Sequence, residues 1–117
     1  MIDPGLIPLV ASRFKMLGEP GRLAILAALH ERERSVGELA DLTGRGQPNV
    51  SQQLAGLSRA GLVASRREGK HVIYCVADPY VARICDAVCA SLAARARREE
   101  PLRKALGRAR AVARTRA

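Results

Sequence analysis

The feature that most narrows what this chain can fold into is a pair of short helical segments, SVGELADLTG and GQPNVSQQLAGLSRAG, joined through a tight glycine-containing turn. Ser-Val-Gly-Glu has the spacing of a capping box, with Glu38 reaching back to a cap at Ser35, so a helix opens there and stops near Thr43-Gly44. A second helix follows from roughly Gln47 to Arg59. Pro48 lies in its first turn, where a missing N–H costs little. Val50, Leu54 and Leu57 face inward and Gly61 ends it. Residues 62–67 and 71–77 then read as two strands around a Glu68-Gly69-Lys70 turn. Helix, turn, helix and basic hairpin is the order of a winged helix-turn-helix.

The flanks are helical too. Leu6, Leu9, Val10, Phe14 and Leu17 recur at helical spacing before Gly18. A helix from about Pro20 to Arg32 carries Leu23, Leu26 and Ala27 as its stripe, widened by Ile25 and Leu29. Pro79 begins a long last helix through about Arg98, with Val81, Ile84, Val88 and Leu92 on one stripe. Pro101 interrupts it, and the Arg/Ala-rich remainder is expected to be a frayed or weakly helical tail. The fold class is therefore mainly α with a small β-hairpin.

Charge points to a polyanionic partner. Lys and Arg number 20 against 11 acids in 117 residues, a net charge of +9. Residues 95–117 hold nine basic residues against Glu99 and Glu100, a net +7, which leaves +2 for residues 1–94. Aromatics are only 3%, with no Trp, which argues against modules that stack bases on aromatic platforms. The second helix of the pair suits duplex reading instead. Gln47, Asn49, Ser51, Gln52 and Gln53 offer amides and hydroxyls that both donate to and accept from base edges. Arg45 and Arg59 flank that helix and suit phosphates, and the hairpin tip supplies Arg66, Arg67, Lys70 and His71. Residues 1–98 are thus read as a winged helix-turn-helix DNA-binding domain, and 99–117 as a basic Arg/Ala-rich tail.

The span from about Leu17 to Asp78 resembles the ArsR/SmtB family of small metal- and metalloid-responsive bacterial repressors. The residues that carry the likeness are LGEPGRLAILAAL, SVGELADLTG, QPNVSQQLAGLSRAGLV and RREGKHVIYCVAD. The resemblance implies a homodimer clasped by the first and last helices, bound to double-stranded operator DNA with an inverted repeat and released by an inducer. One departure is Gly46, where many relatives have a Ser that caps the reading helix; glycine still serves, slightly less well.

The family's sensing sites are only partly present. The Cys-x-Cys of its arsenic sensors is missing from ELADLTG, and the only histidines, His30 and His71, lie outside the last helix, where its zinc sensors place ligands. Sensing therefore falls to Cys75, Cys85 and Cys89. Cys85 and Cys89 are four apart and share a helix face. Three thiolates suit a soft ion, with As(III) or Sb(III) favoured and Pb, Cd or Hg as alternatives. Packing is the bland reading of any one of these cysteines. A persulfide or redox switch of the same fold is the second functional reading. Direct pairing of Cys85 with Cys89 is poor, because a disulfide needs Cβ atoms about 3.5–4.5 Å apart and one helical turn sets them about 5–6 Å apart.

Other classes are weaker. No Gly-rich phosphate loop, paired carboxylates or Ser/His/Asp set suggests an enzyme. A non-sensing basic nucleic-acid-binding protein is the remaining alternative of a different class. The apolar start, Gly5 to Ala11, is short, broken by Pro8 and preceded by Asp3, so it reads as neither signal peptide nor membrane span. A cytoplasmic chain with reduced thiols and no membrane partner is expected.

Overall fold

The computed structural model describes residues 1–116. The chain forms two compact units, Met1–Pro79 and a second that begins at Tyr80. The first contains a short 3-10 turn over Pro4–Leu6, then α1 (Ile7–Leu17), α2 (Pro20–Glu31), β1 (Arg34–Ser35), α3 (Val36–Thr43), α4 (Gln47–Arg59), β2 (Val63–Glu68) and β3 (His71–Val76). The second contains α5 (Tyr80–Ala96) and α6 (Glu100–Arg116).

Local chemistry sets most of these boundaries. Glu19 caps α2 by accepting from the N–H groups of Gly21 and Arg22, and Pro20 fills the first helical position. The Ser35–Glu38 capping box forms in both directions at the start of α3. That helix ends on Gly44 at φ +69°, a left-handed conformation that closes the helix and lets the chain turn into α4.

The core of the first unit is built from the faces these caps orient. Ile25, Leu39, Val50, Leu54, Leu57 and Leu62 are its most deeply buried side chains, joined by Leu26 and Leu29. Each such burial contributes about 1.5–3 kcal/mol before the entropy of ordering is subtracted. The inward face of α2 is centred on Ile25 and not on Leu23, which is exposed along with Ala27. Ile25, which helical spacing treats only as a widening of the stripe, is fully buried.

The sheet has three strands, a correction to the hairpin expected from sequence. Its order is β1-β3-β2, all antiparallel, with Arg34 opposite Tyr74 and Ser35 opposite Ile73. Two residues have no readable periodicity, so β1 left no trace in the apolar pattern. Arg34 fixes it in place. This side chain is buried, and its Nε donates to Ala28 O at 2.9 Å while Nη2 donates to Glu31 at 2.9 Å. The hairpin of β2 and β3 closes through the two-residue loop Gly69-Lys70, with Glu68 paired to His71. Gly69 takes φ +61°, as a tight hairpin requires at its first loop position.

In the second unit α6 packs on α5, and Ala96 at the end of α5 is buried. The tail, expected to be frayed or weakly helical, forms α6 over Glu100–Arg116. The long helix does break before Pro101, with α5 ending at Ala96, and Pro101 then stands in the first turn of α6, where a proline sacrifices no helical hydrogen bond.

Candidate nucleic-acid interface

The first turns of α4 separate into two faces. Val50 and Leu54 are buried, while Gln47, Asn49, Ser51 and Gln52 are exposed. Gly46 precedes the helix in extended conformation and offers no side-chain acceptor, so the first-turn N–H groups stay available to an outside acceptor. Gln53 differs from its neighbours. It is half-buried, and its amide oxygen accepts from Arg22 Nη1 at 3.3 Å. The same guanidinium donates through Nε to Met16 O at 2.6 Å and through Nη2 to Lys15 O at 3.3 Å. Arg22 therefore ties the end of α1, the start of α2 and the outward side of α4 together.

Arg45, in the turn before α4, is half-buried against the start of α2. A Cβ at residue 21 would lie 2.9 Å from Arg45 Cζ and 2.9 Å from Glu19 Oε2, so the glycine leaves the room that both side chains occupy. The Glu19 carboxyl is held below its usual range chiefly by the N–H groups of Gly21 and Arg22. The positive charges of Arg45 and Arg22 lower it further. Arg59, at the far end of α4, is exposed.

The wing presents Arg66, Arg67, Lys70 and His71 to solvent. Arg66 is the one held by protein groups. It pairs with Glu33, from the α2–β1 connection, and with Glu68 at 3.0 Å. Glu33 and Arg22 had no signal in the sequence, since their partners lie 33 and 31 residues away.

The cysteines divide between the two units. Cys75 is half-buried on β3, where it pairs with Ala64 of β2. Cys85, half-buried, and Cys89, exposed, stand one turn apart on α5. Burial pushes the Cys85 thiol up, and the neighbouring Cys89 and Asp86 add to the effect. All three are free thiols. Among the described residues, no group of three or more His, Cys, Asp or Glu side chains is gathered to hold a metal ion. No described helix is long and apolar enough to cross a membrane.

A capped helix, a left-handed glycine turn, a second helix with an exposed amide face and a basic three-stranded wing together define a winged helix-turn-helix protein. The model described as bacterial regulatory protein, arsR family, matches residues 19–65, from the cap of α2 into β2. The HTH-type transcriptional regulator Rv0081 of Mycobacterium tuberculosis is 49% identical over 80 residues, covering 68% of this chain and 70% of the relative. Its crystal structure superposes with a TM-score of 0.68 and 46% identity, over 80% of this chain and 93% of that one. The transcriptional repressor BigR from Xylella fastidiosa gives a TM-score of 0.67 at 38% identity, over 72% of this chain and 86% of that one. The homodimeric winged helix-turn-helix DNA-binding domain of Mb0332 from Mycobacterium bovis gives 0.67 at 35% identity, over 82% and 87%. This chain belongs to the ArsR/SmtB family of transcriptional regulators.

Proposed function

We propose that this chain is a homodimeric transcriptional repressor that reads an inverted-repeat operator through α4 and is released when a soft metalloid or metal binds cysteine thiolates. The observation that carries the DNA reading is the division of α4, with Gln47, Asn49, Ser51 and Gln52 exposed over a buried Val50–Leu54 face. Amide side chains can make paired hydrogen bonds to adenine in the major groove, and Arg45, Arg59, Arg67 and Lys70 suit the flanking phosphates. Dimerisation is supported by the large apolar residues that α1 and α5 leave exposed: Leu9 and Phe14 on α1, and Val88 and Leu92 on α5. It is also supported by the homodimeric state of the Mb0332 domain.

Cys85 and Cys89 supply two thiols on one face of α5 and Cys75 a third from the wing strand. As(III) or Sb(III) takes three sulfurs and is the favoured inducer; Pb, Cd or Hg can use the same donors. Cys85 lies one helical turn from Cys89, about 5–6 Å at Cβ against about 3.5–4.5 Å in a disulfide, which ranks oxidant or persulfide sensing second. The exposure of Cys89 beside it keeps that second reading open to chemistry from solvent.

Footprinting on the upstream region of the gene tests the DNA reading. Protection of two symmetric half-sites about one helical turn, roughly 34–36 Å, apart is expected of such a dimer. Uniform protection without a preferred site would leave only a nonspecific basic protein.

A further inference from the structure

The reading face of α4 and its wing leave the most concentrated charge in the molecule without a role. Residues 101–116 contain Arg103, Lys104, Arg108, Arg110, Arg114 and Arg116 and no acid. With Glu100 at its start they form the helix α6, on which Lys104, Arg108 and Arg110 are exposed and Leu106 is half-buried. Lys104 with Arg108, and Arg110 with Arg114, stand four residues apart, a spacing at which like charges destabilise an isolated helix. Gly107 in the middle of the helix lowers its intrinsic stability further, and nothing packs within 4 Å of where its side chain would be. A helix with this charge pattern gains most from a partner that supplies closely spaced negative charge along its length.

We propose that α6 is a second nucleic-acid contact, a cationic helix that engages the phosphates of duplex DNA without regard to base sequence. The inference rests on the reading of this chain as a DNA-binding regulator. It goes beyond that reading by assigning a binding surface outside the helix-turn-helix and wing. A lipid surface is the competing partner for a basic helix. Insertion into a bilayer asks for a bulky apolar face, and the sequence over 101–116 contains only two Leu and one Val as bulky apolar residues, with no aromatic residue. Phosphodiester charge, at about one per 1.7 Å of duplex, matches a run of cations better than it matches that thin apolar face.

The test uses the full-length chain and its K104Q/R108Q/R110Q variant, with binding to a random-sequence duplex measured across a salt series. Each phosphate contact contributes about 0.9 to the slope of log affinity against log salt. The slope should therefore become shallower by about 2 to 3 for one engaged tail, and by about twice that if both tails of a dimer engage. Affinity should fall more than tenfold at low salt, while an R108K/R110K variant, which keeps the charge, should match the wild type. An unchanged slope in the glutamine variant, with helicity preserved by circular dichroism, overturns the proposal. So does an unchanged slope accompanied by lost binding to phosphatidylglycerol vesicles, which would assign the helix to a lipid surface. The preference of the wild type for operator over random duplex is a separate readout. Its absence would refute the repressor reading and leave the slope comparison intact.

Discussion

Arg22 of α2 donates to the side-chain oxygen of Gln53 on α4 at 3.3 Å, so one residue of the amide row on the reading helix is already committed to the protein. Its other two donors hold the carbonyls of Met16 and Lys15. A planar guanidinium is required to reach all three acceptors at once. Arg22→Lys and Arg22→Ala should each lower stability, by about 1–3 kcal/mol for the alanine, read as a shift in the urea midpoint. Operator affinity should fall in both as α4 loses its tie. Unchanged midpoints would show that Arg22 is a surface residue only.

Gln52 contrasts with its neighbour. It is exposed and has no structural duty, so Gln52→Ala should leave the unfolding midpoint within about 0.5 kcal/mol. Operator binding should weaken by about 1–3 kcal/mol, roughly 5- to 150-fold, with relaxed preference at one base pair per half-site. Gln53→Ala should show the reverse balance, with stability affected more than specificity. Anisotropy titrations on operator and single-base variants check both.

Acid sensitivity follows from the caps. The carboxyl of Glu38 is held low chiefly by the N–H of Ser35, and that of Glu19 by the N–H groups of Gly21 and Arg22. A carboxyl whose folded value lies below its ordinary 4.5 adds stability above that value and loses it as pH falls through the folded value. Unfolding midpoints should therefore decline as pH drops below about 4.5. Glu38→Gln, which can still accept from Ser35, should keep most neutral-pH stability and flatten that decline. Ser35→Ala should cost about 1 kcal/mol at every pH.

The parts of the fold that sequence made legible are those set by local chemistry. The Ser35 box, the Gly44 turn, Pro48 in the first turn of α4 and the Gly69 hairpin tip each carry a signal within a few residues. What stayed hidden depends on contacts between distant segments. β1 exists because Arg34 is anchored by Ala28 and Glu31 and pairs across to Tyr74. The restraint on Gln53 and the pairing of Arg66 with Glu33 are likewise long-range. Pro101 marked the break after α5, but not the helix that resumes there, because proline reads the same way as a helix breaker and as a helix starter.

Thiol chemistry gives a pH signature that separates inducers. Cys85 is held protonated more firmly than an ordinary cysteine, so a divalent ion must displace that proton to bind. Affinity for Cd(II) should rise steeply between about pH 6 and about pH 8. Uptake of As(OH)3 should change little, since each thiol proton leaves with a hydroxide as water. Equilibrium competition with a chromophoric chelator for Cd(II), and calorimetry for arsenite, measure the two dependences. A flat Cd(II) profile would remove the thiols from the donor set.

A repressor of this kind both holds its operator and surrenders it through its thiols. Fluorescence anisotropy of a labelled duplex from the gene's own upstream region, with arsenite titrated into the reduced complex, tests both halves together. Tight binding followed by release at near-stoichiometric arsenite is expected for the wild type. In Cys85→Ser, binding should persist without release. A wild-type complex that stays intact through excess arsenite, antimonite and Cd(II) would contradict the thiolate sensor, and a duplex that never binds would contradict the repressor itself.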